Sequence, residues 1–291
     1  MTEPAIRGRD MVMDEDISHL RPINMRQPLT GYLVDLWLRR RFLLVFASAK
    51  QESSASSNRL GRYWFVLSPI LSAATYWFVF GVLLGVDKGI HNYVSYLVIG
   101  IFFFTFTAGA MAEGSSSLAQ SADLIRSLHF PRAAIPLSST ILMVYRLGWE
   151  ILVLCVIVLI TGEPITLAWL LLVPVVLLQT MFNAGLALIL ARLVAQAEDV
   201  RQLLPFVTRT WMFVSGVMFS ITTYAAHAPQ AVRMLLEINP LAVYLSLARQ
   251  CLITDTPAPS GSWLLAVAWG AGMFAFGFIF FWRAEASYGR V

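Results

Sequence analysis

Between Arg62 and Asp87 the chain carries no charged residue, and neither do residues 93–112, 164–191 or 256–282. A helix needs roughly 20 apolar residues to cross a hydrocarbon layer about 30 Å thick, and these stretches meet that length repeatedly. A soluble core cannot absorb so much apolar surface. Apolar residues make up 58 % of the 291 and charged residues 13 %, about half the charged share of an ordinary soluble domain.

The pattern predicts an all-α membrane protein with six transmembrane helices. They cover 63–86, about 93–112 (stopping at Glu113), about 136–161, a stretch within 164–191, about 203–223, and a stretch within 256–282. The third carries Arg146 and Glu150 inside it. The fifth has Arg209 near its start, where a long side chain can snorkel toward the headgroups.

Basic residues beside the spans set the orientation. With the N-terminus inside, the cytoplasmic side holds Arg39, Arg40, Arg41, Lys50, Arg59, Arg62, Arg126, Arg132, Arg192, Arg201, Arg283 and Arg290. The outside holds Lys88, Arg233 and Arg249. Both termini are therefore expected in the cytoplasm.

Three segments are too short or too polar to span. Residues 29–49 set Leu33, Leu36, Trp37 and Leu44 beside Arg39–Arg41, a composition suited to an amphipathic helix lying in the cytoplasmic interface. Residues 115–135 follow a serine run and place Leu118, Ala122, Ile125 and Leu128 at helical spacing, which predicts a short amphipathic helix on the cytoplasmic side. Residues 224–252 contain an uncharged stretch, 238–248, broken at its start by Asn239-Pro240. Two short re-entrant helices between spans five and six fit there, because irregular backbone at depth must be shielded by protein. The chain thus divides into a flexible tail (1–28), an interfacial helix and linker (29–62) and a transmembrane domain (63–291).

Several chemistries are excluded by what the chain lacks. A phosphate-binding loop needs a lysine in a glycine-rich turn, and neither Lys50 nor Lys88 sits in one. ATP hydrolysis by this chain is therefore not expected. The four histidines, His19, His91, His129 and His227, show no metal-ligand spacing, and Cys155 and Cys251 suggest no disulfide framework. No basic stripe suits nucleic acid. No catalytic residue, metal or cofactor is assigned to this chain.

Two features inside the apolar spans remain. Arg146 and Glu150 stand four apart on one helix face, where they serve either as a structural ion pair or as a functional site, since intramembrane charge is costly. Aromatics are dense in the spans. They form either an aromatic-lined passage, able to stack on the apolar faces of sugar rings, or ordinary packing and interfacial belts. Gly81 and Gly85 form a Gly-x-x-x-Gly that permits close helix approach.

Taken in order, five short motifs resemble the membrane subunit of the ABC-2-type polysaccharide exporters, the O-antigen, capsule and teichoic acid permease family. They are Leu60-Gly61-Arg62-Tyr63-Trp64 with Ser68-Pro69; Tyr96-Leu97-Val98-Ile99-Gly100; Ala122-Asp123-Leu124-Ile125-Arg126 with Phe130-Pro131-Arg132 and Ile135-Pro136; Glu198-Asp199-Val200-Arg201 with Leu204-Pro205-Phe206; and Glu237-Ile238-Asn239-Pro240-Leu241. The resemblance covers nearly everything after residue 29. One departure is Ser215-Gly216 where many members carry Ser-Pro. Arginine-over-lysine usage and the acidic tail would suit a high-GC actinobacterium with lipid-linked galactan as cargo.

The resemblance implies a homodimer joined to two copies of a separate ATPase, which holds the ATP and magnesium. A lipid-linked polysaccharide would pass between the two membrane subunits, in contact with membrane lipids, across a bacterial cytoplasmic membrane. Asp123, Leu124, Ile125, Arg126, Leu128 and Phe130 would couple to the ATPase. Leu60, Gly61 and Trp64 would stand at the channel mouth. Trp77, Phe80, Phe104, Tyr145, Arg146, Trp149, Glu150, Trp211 and Phe219 would line the passage. Rival readings are a secondary transporter or lipid scramblase without an ATPase, which often shows internal repeats, and a membrane-embedded transferase, which needs clustered acids or histidines. The sequence shows neither.

Overall fold

The structure, a computed structural model, describes residues 28–56, 63–83, 92–128, 130–221 and 229–285. Its regular elements, all helical among these residues, run in chain order. α1 (Leu29–Leu38) and α2 (Arg40–Ser56) form the N-terminal arm. α3 (Trp64–Tyr76) continues as a π-helical stretch, Trp77–Leu83. α4 (Tyr93–Gln120), α5 (Ala122–Ser127) and α6 (Ala134–Ile160) follow. A 3₁₀ turn, Leu167–Leu171, leads into α7 (Leu172–Gln196). α8 (Asp199–Val214), α9 (Gln230–Ile238), α10 (Pro240–Leu252) and α11 (Ser262–Arg283) complete the chain.

Four of these stretches are long and apolar enough to cross a bilayer: Tyr93–Gln120, Ala134–Ile160, Leu167–Gln196 and Ser262–Arg283. The pair α9–α10, bent by 70° at Asn239, makes a fifth if it counts as one span. The six expected spans are thus only partly matched. The stretch expected at 203–223 is a helix of 16 residues, about 24 Å at 1.5 Å per residue, and it stops at Val214. Gly216, with φ +64°, turns the backbone there. Glycine adopts that conformation without the steric cost a side chain brings. The first expected span is helical from Trp64 to Leu83, and its end at 84–86 lies outside the described residues. The tail at 1–27 lies outside them too.

The second span runs eight residues past its expected end at 112, through Glu113 and the serine run, to Gln120. Two causes explain this, one distant in sequence and one local. Lys50 of α2 pairs with Glu113 over 2.9 Å and offsets its charge. Ser115 and Ser116 donate to the carbonyl of Ala112, and Ser117 to that of Gly114, so the hydroxyls bond back along the helix instead of breaking it. The predicted amphipathic helix shortens accordingly to the six residues of α5. The N-terminal stretch expected as one helix over 29–49 is divided at Arg39 into α1 and α2.

α4 forms the centre. Tyr96, Leu97, Val98, Ile99, Phe102 and Phe103 are buried among α6, α7 and α10. α7 and α11 pack closely because glycines face each other. A Cβ built on Gly277 would stand 2.3 Å from the Gly185 carbonyl oxygen, and one on Gly185 would stand 2.2 Å from that of Met273. Small residues at such a seam let backbones approach, which strengthens dispersion where lipid supplies no hydrophobic drive.

Hydrogen bonds define the two ends of the bundle. At one end Glu163, 5 % exposed, accepts from the Asn92 amide over 2.9 Å and from the N–H and hydroxyl of Thr254, each over 2.9 Å. That carboxylate joins the start of α4, the end of α6 and the end of α10. At the other end Glu285 joins α1, the start of α6 and the end of α11.

Candidate functional site

At the Glu285 end, α5 presents two different faces. Ile125, 9 % exposed, is buried in a cluster with Tyr32, Leu118, Ala133, Ile135 and Phe278. Asp123, Arg126 and Leu128 are exposed, Leu128 by 52 %. Leu124 is partly buried, and the Phe130 ring leans on Phe42 of α2 at 5.3 Å between centres. The expected coupling residues therefore converge on one corner, with one side chain as its root and three as its surface.

Burial raises the Glu285 carboxyl above its ordinary value, and hydrogen bonds from the Arg132 N–H and the Tyr32 hydroxyl, with the nearby Arg132 charge, oppose the rise. The acid is thus held by two donors in a site that disfavours free charge. Sequence reading missed both Tyr32 and Glu285. No local pattern marks them, because Tyr32 and Glu285 lie 253 residues apart and meet only in the fold.

The α6 face brings together four of the expected passage residues. Tyr145 and Trp149 meet edge to face at 6.4 Å. Arg146 and Glu150 lie beside them, partly buried. The Arg146 Nε and the Glu150 Oε2 have no hydrogen-bond partner among the described residues. Leu152 and Val156 continue the exposed face. α3 packs against α6 and carries Trp64, and Trp77 opens the π-helical stretch that continues it; both are exposed.

The remaining expected residues lie elsewhere. Phe104 is buried in the chain's own core. Trp211 packs against Phe182 at 6.3 Å and its indole N–H donates to the Asn239 side chain over 3.0 Å. Phe219 is partly buried and its carbonyl accepts from the Tyr96 hydroxyl over 3.2 Å. Leu60 and Gly61 lie outside the described residues, and so does the side chain of Phe80.

The largest feature absent from the sequence reading surrounds the break after α8. Beyond Val214 the backbone leaves helical geometry, and its carbonyls need partners inside the protein. Side chains supply them. Asn239 Nδ2 donates to Val214, Arg249 Nη1 to Gly216, Arg249 Nη2 to Val217, the Tyr93 hydroxyl to Met218 and the Tyr96 hydroxyl to Phe219. Arg249 was placed by charge counting among outer flanking residues, yet it is 5 % exposed.

The ABC-2 type transporter family profile matches residues 44–253. An O-antigen export system permease protein RfbA of Klebsiella pneumoniae is 25 % identical over 227 residues, spanning 78 % of this chain and 83 % of that protein. A second protein of that name and organism is 24 % identical over 213 residues, spanning 73 % and 78 %. One from Myxococcus xanthus is 22 % identical over 234 residues, spanning 80 % and 88 %.

Proposed function

This chain belongs to the ABC-2 type transporter family, and from that premise we propose that it is the membrane subunit of an exporter of lipid-linked polysaccharide. A separate ATPase, holding ATP and magnesium, drives it. The relatives bear the name of O-antigen export permeases, which supports a polysaccharide as cargo. The excess of arginine at the Glu285 end supports its assignment to the cytoplasm, with both termini there.

The observation that carries the reading is the α5 corner. Leu128 exposes its apolar surface beside Asp123 and Arg126, while Ile125 roots the same short helix in the bundle. An apolar contact flanked by opposite charges suits a soluble partner, since burial supplies affinity and the charges fix register. A membrane-embedded transporter driven by a gradient has no need of such a knob.

α8 supports a dimer. Arg201, Gln202, Arg209 and Thr210 share its exposed surface with Leu203, Phe206 and Val207. A helix of that mixture cannot face lipid on every side without cost, and a second copy would cover it. The bent pair α9–α10 serves as a re-entrant element at the outer side, and α1–α2 lies along the cytoplasmic interface. Polymer passes along the α6 face, where Tyr145 and Trp149 offer weak, repeated stacking and no tight site.

Copurification tests the proposal. The chain coexpressed with a candidate partner ATPase should retain that ATPase through detergent purification, and all ATP turnover should reside in the complex. Turnover by the chain alone, or no retained ATPase, would overturn it.

A further inference from the structure

Three stretches far apart in sequence meet at one phenol. The Tyr32 hydroxyl donates to Oε2 of Glu285 over 2.9 Å and accepts the backbone N–H of Ala133 over 3.0 Å. The other oxygen of Glu285, Oε1, accepts the N–H of Arg132 over 3.0 Å. The Arg132 guanidinium in turn donates to the Glu285 carbonyl. Tyr32 is 2 % exposed, and its ring meets Phe278 edge-on at 5.9 Å. Packing therefore fixes the ring independently of its hydroxyl.

The location matters more than the bonds themselves. α5 ends at Ser127 and α6 begins at Ala134. Leu128 between them is extended, with φ −127° and ψ 138°, and Pro131 has no N–H to donate. Among the described residues the connection carries no continuous helical hydrogen-bond ladder, and such a connection bends more readily than the helices it joins. Left alone, it would absorb a push on α5 by rotating. The Arg132 and Ala133 amides are instead held by side chains of α1 and of the residues after α11. One tie from α2 meets the same corner, Phe42 on Phe130 at 5.3 Å, and a second holds α4 at Glu113 through Lys50 at 2.9 Å.

We infer that Tyr32 and Glu285 are positioning residues that stiffen this joint, so that displacement of α5 moves α1, the base of α6 and the end of α11 together. The inference rests on the reading of α5 as the ATPase docking corner. Each oxygen of the Glu285 carboxyl accepts a hydrogen bond from a different segment, Tyr32 of α1 and Arg132 at the base of α6, which suits a connection that must carry load. The bonds hold three elements at one point, so removing either side chain frees the same joint.

The test uses the full complex with its ATPase. Tyr32→Phe keeps the ring against Phe278 and removes only the hydroxyl; Glu285→Gln keeps the shape and removes the charge. Three quantities are measured: complex recovered, ATP hydrolysed per complex, and surface glycan on the producing cells, detected by periodate oxidation and hydrazide labelling. Each variant should assemble and hydrolyse ATP as the parent does, while surface glycan per complex falls about tenfold, the equivalent of one lost buried hydrogen bond. The double variant should lose no more than either single one, because both act through one node.

Unchanged glycan per complex in both single variants would overturn the inference. Glycan falling only in proportion to recovered complex would also overturn it, since that marks a purely structural role. Failure of the parent chain to retain any ATPase would instead refute the docking reading beneath it, a separate result.

Discussion

The Arg249 guanidinium lies 3.4 Å from the centre of the Tyr96 ring while its Nε donates to the Tyr96 carbonyl over 3.2 Å. The same group reaches Gly216 and Val217 through Nη1 and Nη2. A planar fork is required, because three carbonyls on two segments are bonded at once while the charge rests on an aromatic face.

Arg249→Lys should therefore behave as a severe change. One ammonium cannot span those carbonyls, and each buried carbonyl left unpaired costs about 1–3 kcal/mol. A loss of about 2–4 kcal/mol is expected, read as a lower melting midpoint in detergent. Amide exchange in residues 215–220 should accelerate more than elsewhere. Exchange unchanged in that segment would refute the clamp.

The α7–α11 seam makes a second expectation. Gly277→Val would press side-chain carbon against the Gly185 backbone, and backbone cannot yield as a flexible side chain can. Overpacking of this kind costs about 3 kcal/mol, so little folded protein should survive. Gly272→Ala is the control, since nothing lies within 4 Å of a Cβ there, and its melting should match the parent.

How far the sequence reached depended on whether a feature was local. Charge-free length located α4, α7 and α11, and an apolar stretch tolerating Arg146 and Glu150 located α6, because hydropathy is a property of a continuous segment. Where a distant partner decided the outcome, local reading failed. Glu113 looked like a terminus until Lys50, 63 residues away, was seen to pair with it. Arg249 looked like a rim charge, because the carbonyls it serves belong to a helix break 32 and 33 residues earlier. Ser215-Gly216 was noticed as a departure from pattern, but the positive φ and the five side-chain donors around it come only from tertiary contacts. Among the proposed passage residues, Tyr145, Arg146, Trp149 and Glu150 share a face by helical spacing alone. Phe104 and Trp211 obey the same spacing rules on their own helices, and nothing in spacing tells which neighbour covers them.

Glu285 gives a pH expectation. Burial raises its pKa in the folded state above the ordinary 4.5. The folded chain then binds that proton more readily than the unfolded one, so stability falls as pH rises. This contribution is fully present below pH 4.5 and is lost as pH climbs through the raised folded value. Melting midpoints across that window should slope downward for the parent, and Glu285→Gln should remove that part of the slope. An identical slope in both would refute the assignment.

On the α6 face, alanine at Tyr145 or Trp149 should lower surface glycan only partly, and both together should lower it steeply. Stacking contacts are individually weak and nearly equivalent, so one loss leaves the others working. Edge-to-face pairing contributes about 0.5–1.5 kcal/mol, too little to unfold the helix. Loss of folded protein in step with loss of export would instead assign these rings to packing.

The α5 corner separates docking from folding between a residue of the helix and the one just after its end. Ile125 and Leu128 are three residues apart and equally apolar, and the sequence offered both as partner contacts. The structure divides them, since Ile125 is rooted among Tyr32, Phe278 and Phe281 while Leu128 is half exposed. A charge at position 125 would be buried without a partner, which costs several kcal/mol. Ile125→Asp should therefore yield little folded chain, with or without the ATPase. Leu128→Asp adds its charge where solvent already reaches, so the isolated chain should be recovered in parent amounts with a parent melting midpoint. Its partner contact would lose an apolar anchor worth about 2 kcal/mol and gain a charge to desolvate. Retention of the ATPase through purification should then fall by about tenfold or more. Retention at the parent level by a well-folded Leu128→Asp chain would move the docking surface away from α5, toward the exposed Asp199–Gln202 turn at the start of α8.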